Sequence, residues 1–161
     1  MSLAMYASEF NNEQNNNPIQ KKEDALKAIH FIRNQYRTYG VGRLATIEKS
    51  SGSFIGWSGL KYNAGKKEAL NGIENFFDIG YRFLPRFWGL GFATESSHKM
   101  LCVAFEELNI DTVFGAADID NIGSNKVLRK IGLNFVEEFF FKKERINWYE
   151  LKKENYEKDM F

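Results

Sequence analysis

The residues best placed to bind a ligand are Arg86-Phe87-Trp88-Gly89-Leu90-Gly91-Phe92. Two glycines, one residue apart, put no side chain in the way of a group that approaches the backbone. Ahead of them, Phe77, Ile79, Tyr81 and Phe83 alternate with Asp78, Gly80 and Arg82, the period of two that marks a strand. Pro85 ends that strand, because proline has no N–H for a ladder. Behind them, Ala93, Ser97, Met100, Leu101, Ala104, Phe105 and Leu108 recur at steps of three and four, one stripe of a helix. A loop feeding a helix N-terminus turns several N–H groups and the positive end of the helix dipole toward whatever lies in front of it. The chemistry this stretch predicts is the seating of a phosphate.

Spacing separates the phosphate motifs. A Walker loop needs Gly-Lys-Ser or Gly-Lys-Thr, and neither occurs in the chain. A dinucleotide fingerprint needs a third small residue where Thr94 stands, although Asp118, ending the next strand, could serve as its ribose acid. The pattern R/Q-x-x-G-x-G/A is met in full by Arg86, Gly89 and Gly91. At this point the sequence resembles the GNAT superfamily of N-acetyltransferases, which hold acetyl-CoA on such a strand, loop and helix.

Three further segments carry the resemblance, in the family's order. Residues 118–132, Asp-Ile-Asp-Asn-Ile-Gly-Ser-Asn-Lys-Val-Leu-Arg-Lys-Ile-Gly, look like the N-x-x-S-x-x-v-l-x-k-x-G segment of the branch that acetylates ribosomal-protein N-termini. Residues 54–60 resemble that branch's "iGxxgL" strand, and Asp78-Ile79-Gly80-Tyr81 its "eiGy" strand. The similarity spans about residues 21–155, and it implies a mixed α/β fold whose largely antiparallel sheet of about six strands carries helices on both faces. It implies acetyl-CoA as co-substrate, with no metal. The pantetheine arm would meet the backbone of Tyr81, Arg82 and Phe83. The pyrophosphate would meet the N–H groups of Trp88, Gly89, Leu90, Gly91 and Phe92, with Ala93 next in line and the Arg86 guanidinium adding charge. Asn121 would bridge to the pantetheine or hold its own loop. Most of the nearby aromatics, Phe76, Phe77, Phe83 and Phe87, read equally well as core; Trp88, inside the loop, does not. Leu133 stands where many relatives have Phe, a change in packing volume. The branch's usual first strand and helix are expected to be missing from this chain.

The reaction so implied is direct attack of an amine on a thioester. At pH 7 roughly 10% of an α-amine of pKa about 7.7–8.0 is neutral, against under about 0.1% of a lysine. An α-amine therefore needs only a modest base. Asp78 occupies the "e" of "eiGy" and faces away from the Phe77, Ile79, Tyr81 stripe. It is the first candidate for that base, with an ion pair to Arg82 on the same face as the competing role. Glu74 and Asp120 are alternatives. Ser124 matches the family's serine and would protonate the departing thiolate, or cap its helix. The acceptor is expected to be a protein or peptide N-terminus; a small amine such as a polyamine, amino acid or antibiotic, or a CoA-binding module without turnover, are the other readings.

These residues need elements to hold them. With 161 residues there is room for one domain with a real core. Residues 1–17 carry no apolar period and read as loop or disorder. A helix over 23–39, with the stripe Ala25, Ala28, Ile29, Ile32, Tyr36 and Tyr39, closes at Gly40. His30 beside it is expected to be partly buried in packing rather than to bind metal. Strands are expected over 43–48 and 53–61, forming a hairpin, then over 77–83, 112–117, 135–143 and 146–152. Twenty-two Lys and Arg against 21 Asp and Glu give no global field toward nucleic acid or an anionic membrane. With no membrane span or leader expected, the chain reads as cytoplasmic. Cys102 alone rules out an internal disulfide and is expected to be a small buried helix residue. A homodimer is left open.

Overall fold

The computed structural model describes residues 21–156. The chain divides into two compact units, Met1–Gly42 and Arg43–Phe161. The expectation for residues 1–17 lies outside the described residues.

In the first unit, helix α1 spans Lys22–Tyr39 and ends at Gly40, whose φ of 72° is left-handed and whose N–H donates to Tyr36 O at 3.1 Å. A left-handed residue without a Cβ stops a helix at little cost. Ala25 and Gln35 are its buried positions. The expected stripe therefore drifts after Ile32: Gln35 turns inward, while Tyr36, Tyr39 and His30 are exposed.

In the second unit, strands β1 (Arg43–Ile47), β2 (Phe54–Asn63), β3 (Phe76–Phe83), β4 (Thr112–Asp118), β5 (Asn134–Phe141) and β6 (Glu144–Lys152) form one sheet in the order β1-β2-β3-β4-β6-β5. All neighbours are antiparallel except β3 and β4. The mixed, largely antiparallel six-stranded sheet is the one expected. Helix α2 (Phe92–Cys102) continues into a π turn over Val103–Glu107, and helix α3 (Ile122–Lys130) follows β4. The described part of the chain holds no helix long and apolar enough to cross a membrane.

Register explains which residues reach the site. One face of the sheet carries Ser58, Leu60, Ile79, Tyr81, Val113, Gly115, Asn147 and Tyr149. Helix α2 packs on β2 and β3, and α3 on β4 and β5. Gly115 is where α3 comes closest: a Cβ there would lie 2.7 Å from a Leu128 methyl and 2.9 Å from a Leu133 methyl. Helix α3 then stops at Gly132, with φ 93°, as Leu133 N–H donates back to Leu128 O at 3.0 Å. On the opposite face, Phe76, Phe114 and Trp148 form an aromatic cluster with centroids 5.1 to 5.6 Å apart.

Candidate functional site

The site begins where two strands part. β3 and β4 pair only at Phe77↔Val113 and Asp78↔Phe114, yet β3 runs on to Phe83 and β4 to Asp118. Beyond Asp78 the β4 side of β3 is without its ladder. Which groups face that gap follows from alternation. Leu84 N–H donates to Ile55 O at 3.0 Å, so Leu84 and, two back, Arg82 turn their backbone groups to β2. Tyr81 and Phe83 turn theirs to the gap. The expectation that Arg82 offers backbone there is thus corrected by the pairing parity. The Phe83 carbonyl is met by the Trp88 indole N–H at 2.7 Å. The Trp88 ring is 67% exposed, in keeping with its expected place outside the core.

At the mouth of the gap, a 3-10 turn over Pro85–Phe87 leads to the two glycines. Gly89 has φ 74° and Gly91, the N-cap of α2, φ 90°, and a Cβ at either would meet nothing within 4 Å. The backbone there is unobstructed at both Cβ positions. The Trp88 N–H is the exception among the expected donors, because it closes the 3-10 turn on Pro85 O at 3.1 Å. The first helical bond runs from Glu95 N–H to Gly91 O, so the N–H groups of Phe92, Ala93 and Thr94 precede any intrahelical partner. Arg86 is exposed, its guanidinium 5.0 Å from the Phe87 ring centroid.

The far wall of the gap is the start of α3. Asn121 is its N-cap, accepting from the Ser124 N–H at 3.0 Å, so Ser124 is the capped residue and not the cap. The Ser124 carbonyl accepts from the Tyr81 hydroxyl at 3.1 Å, a bond that ties β3 to α3 across the gap. Burial pushes the Tyr81 hydroxyl well above the ordinary tyrosine range, so it stays a neutral donor. Beneath this wall lies Asn125, 6% exposed. Its side-chain oxygen accepts from Tyr149 Oη at 2.7 Å and from Asn147 Nδ2 at 2.8 Å. Its amide donates to the carbonyls of Asp118 and Asn121, both at 2.8 Å.

Asp78 lies on the other face of β3, with its carboxylate 2.9 and 3.1 Å from Arg43 Nη2. Arg43, which the sequence did not single out, is thus a partner of this carboxylate. Glu74 and Asp120 are exposed, and Asp120 N–H is engaged by the Asp118 carboxylate at 2.8 Å. Cys102 is half-buried and accepts from the Tyr156 hydroxyl at 3.0 Å, so it is not the sequestered thiol expected. No cluster of potential metal ligands occurs among the described residues.

Sequence reading missed Arg43 and Asn125. Asn125 stands inside the matched segment beside Asn121 and Ser124, and its phase on α3 could have marked it as inward. Nothing local distinguishes Arg43.

A parted strand pair, a glycine turn at the N-terminus of the helix between those strands, and a largely antiparallel sheet define an acyl-CoA N-acyltransferase fold. The sequence model of the acetyltransferase (GNAT) domain matches residues 4–134, and the chain belongs to that family. Over 120 residues it is 34% identical to the FsC-acetyl coenzyme A-N(2)-transacetylase of Aspergillus fumigatus, covering 74% of this chain and 51% of the relative. The chain thus spans about half the length of that curated relative. A Bordetella pertussis chain assigned to the GnaT acetyltransferase family superposes with a TM-score of 0.77 at 16% identity, over 91% of this chain and 85% of the other. A Vibrio cholerae structure described as a ribosomal-protein-serine acetyltransferase gives 0.63 at 16%, over 83% and 76%. Both structural likenesses speak for the fold.

Proposed function

We propose that the acceptor is the N-terminal α-amine of a protein such as a ribosomal protein. The observation that carries the reading is the two-pair β3–β4 contact beside the open glycine turn, which leaves an extended, amide-lined path ending next to Asp78. Acetyl-CoA supplies a thioester that the amine attacks directly, with the thiolate leaving and no acyl group passing through the protein. The Tyr81 backbone and the Phe83 N–H line the path. Gly89, Leu90, Gly91, Phe92 and Ala93 give N–H groups to the pyrophosphate, and Arg86 adds charge. The Asp78 carboxylate takes the ammonium proton, and the Ser124 hydroxyl returns one to the thiolate. Asn121 shapes the loop through its cap. A single carboxylate already engaged by a guanidinium suits an amine that is partly neutral at pH 7 better than a lysine. The same reading places the protein in the cytoplasm.

The test is thiol release from acetyl-CoA with paired peptides. A peptide with a free N-terminus is acetylated at the α-amine; the same peptide, N-terminally blocked and bearing an internal lysine, is not. Equal rates on both would sink the α-amine assignment. A second reading, a small-molecule amine, draws on a structural neighbour described as a spermidine N-acetyltransferase chimera. Faster turnover of free amino acids or polyamines than of any peptide would establish it instead.

A further inference from the structure

Arg43, Gly59 and Gly80 stand in one row across three strands: Arg43 is opposite Gly59 in the β1–β2 pair, and Gly59 opposite Gly80 in the β2–β3 pair. The two glycines clear a trench, and the Arg43 side chain lies along it. A Cβ on Gly80 would fall 2.6 Å from Nη2 and 2.7 Å from Cζ of that guanidinium. From the trench, Nη1 donates to the Gly59 carbonyl and, at 3.2 Å, to the Asp78 carbonyl, while Nη2 holds both carboxylate oxygens of Asp78. The Trp57 ring lies beside it, its centroid 5.6 Å from Cζ. Arg43 is 9% exposed and Asp78 26%.

Stability alone gives little reason for this arrangement. Burying an ion pair costs desolvation that its attraction often only matches. Here Nε of Arg43 is also buried without a hydrogen-bond partner among the described residues. The feature that the arrangement does secure is direction: one guanidinium grips the Asp78 carboxylate and the Asp78 carbonyl together, fixing the side chain relative to its own strand.

We propose that Arg43 is the positioning residue for Asp78, seated by Gly59 and Gly80, and that it sets the direction in which the carboxylate meets the acceptor amine. The inference rests on Asp78 acting as base. It also assigns a purpose to Gly59 and Gly80, the second glycine of the "iGxxgL" strand and the glycine of the "eiGy" strand: they keep the trench clear.

The test uses Gly80→Ala, Arg43→Lys and Asp78→Asn in the full chain. Gly80 has no left-handed φ, so alanine suits its backbone, and the new methyl displaces the mobile end of Arg43 while leaving both charges in place. Both Gly80→Ala and Arg43→Lys are expected to lower kcat about tenfold, since a small misplacement of a reacting group suffices for that. KM for acetyl-CoA and its calorimetric affinity stay as in the parent. The acid limb of the pH–kcat profile moves upward as the Arg43 cation is displaced from the carboxylate. Asp78→Asn falls further. If Asp78→Asn is slow while the other two keep the parental kcat and pH limb, the positioning role alone is overturned. Full activity of Asp78→Asn would overturn the base assignment, and this inference with it. A fall in acetyl-CoA affinity parallel to kcat would show that Arg43 only supports the fold.

Discussion

At Gly89 and Gly91, as at Gly40, Gly52, Gly65 and Gly72, a Cβ would meet nothing within 4 Å, so conformation alone restricts them. A side chain there meets no protein atom, yet would stand in the space a phosphate needs, on a left-handed backbone. Gly91→Val is expected to cost about 1–3 kcal/mol in backbone strain, lowering Tm by roughly 2–10 °C for a chain of this size. Acetyl-CoA binding, measured by calorimetry, is expected to vanish while the fold persists; unchanged affinity would remove the loop from the site. Tyr81 gives a second expectation. Its folded pKa is raised above the unfolded value near 10, so the folded state keeps its proton longer. The stability this represents is complete below about pH 10 and declines as pH rises above it. Tyr81→Phe is expected to blunt that alkaline decline in urea melts taken from pH 8 to 11. The glycine turn, Tyr81 and Asp78 were legible as residues because each belongs to a local string. Arg43 was not, since its role exists only once β1, β2 and β3 are in register.

At the scale of elements, the strands and the helix starts were readable from period and punctuation, and the π turn was not. The stripe from Ala93 predicts a helix to Leu108, but the widened turn at Val103–Glu107 adds a residue and shifts the phase. Leu108 is accordingly 39% exposed, whereas Ala104 and Phe105 remain buried. The start of α3 depends on Asn125, whose loss strands partners on two elements. Asn125→Ala is expected to cost about 3 kcal/mol, given roughly 1–3 kcal/mol for each buried polar group left unsatisfied. Hydrogen exchange should rise first over residues 118–125, and an unaltered exchange pattern would contradict this hub. Gly115→Ala presses a methyl on Leu128 and Leu133 and is expected to cost about 1–3 kcal/mol by overpacking, read as a lower urea midpoint with an unchanged slope. That closeness of α3 to β4 explains why a Leu rather than a bulkier residue is accommodated at 133.

For the whole molecule, ligand binding should register as stability. Acetyl-CoA or CoA at 100 times its Kd adds about 2.7 kcal/mol, a Tm rise of roughly 5–10 °C. NADH is expected to leave the melt unmoved, and a rise with NADH instead would restore the dinucleotide reading that Asp118 kept open in spite of Thr94. The acceptor was the least legible feature, because it depends on side chains gathered from several strands rather than on any one string.

The two-pair contact between β3 and β4 also divides the second compact unit by chain order. Everything from β1 through α2 lies on one side of it, and everything from β4 to β6 on the other. Each side is closed by antiparallel partners of its own, β1-β2-β3 and β4-β6-β5. The unit is therefore built as two successive lengths of chain that share two strand pairs and are otherwise joined by side chains, such as Phe76 on Trp148, Tyr81 on Ser124 and Phe105 on Tyr156. A break introduced between residues 108 and 112 would cut no strand pairing, so the two fragments, mixed, should reassemble into a working whole.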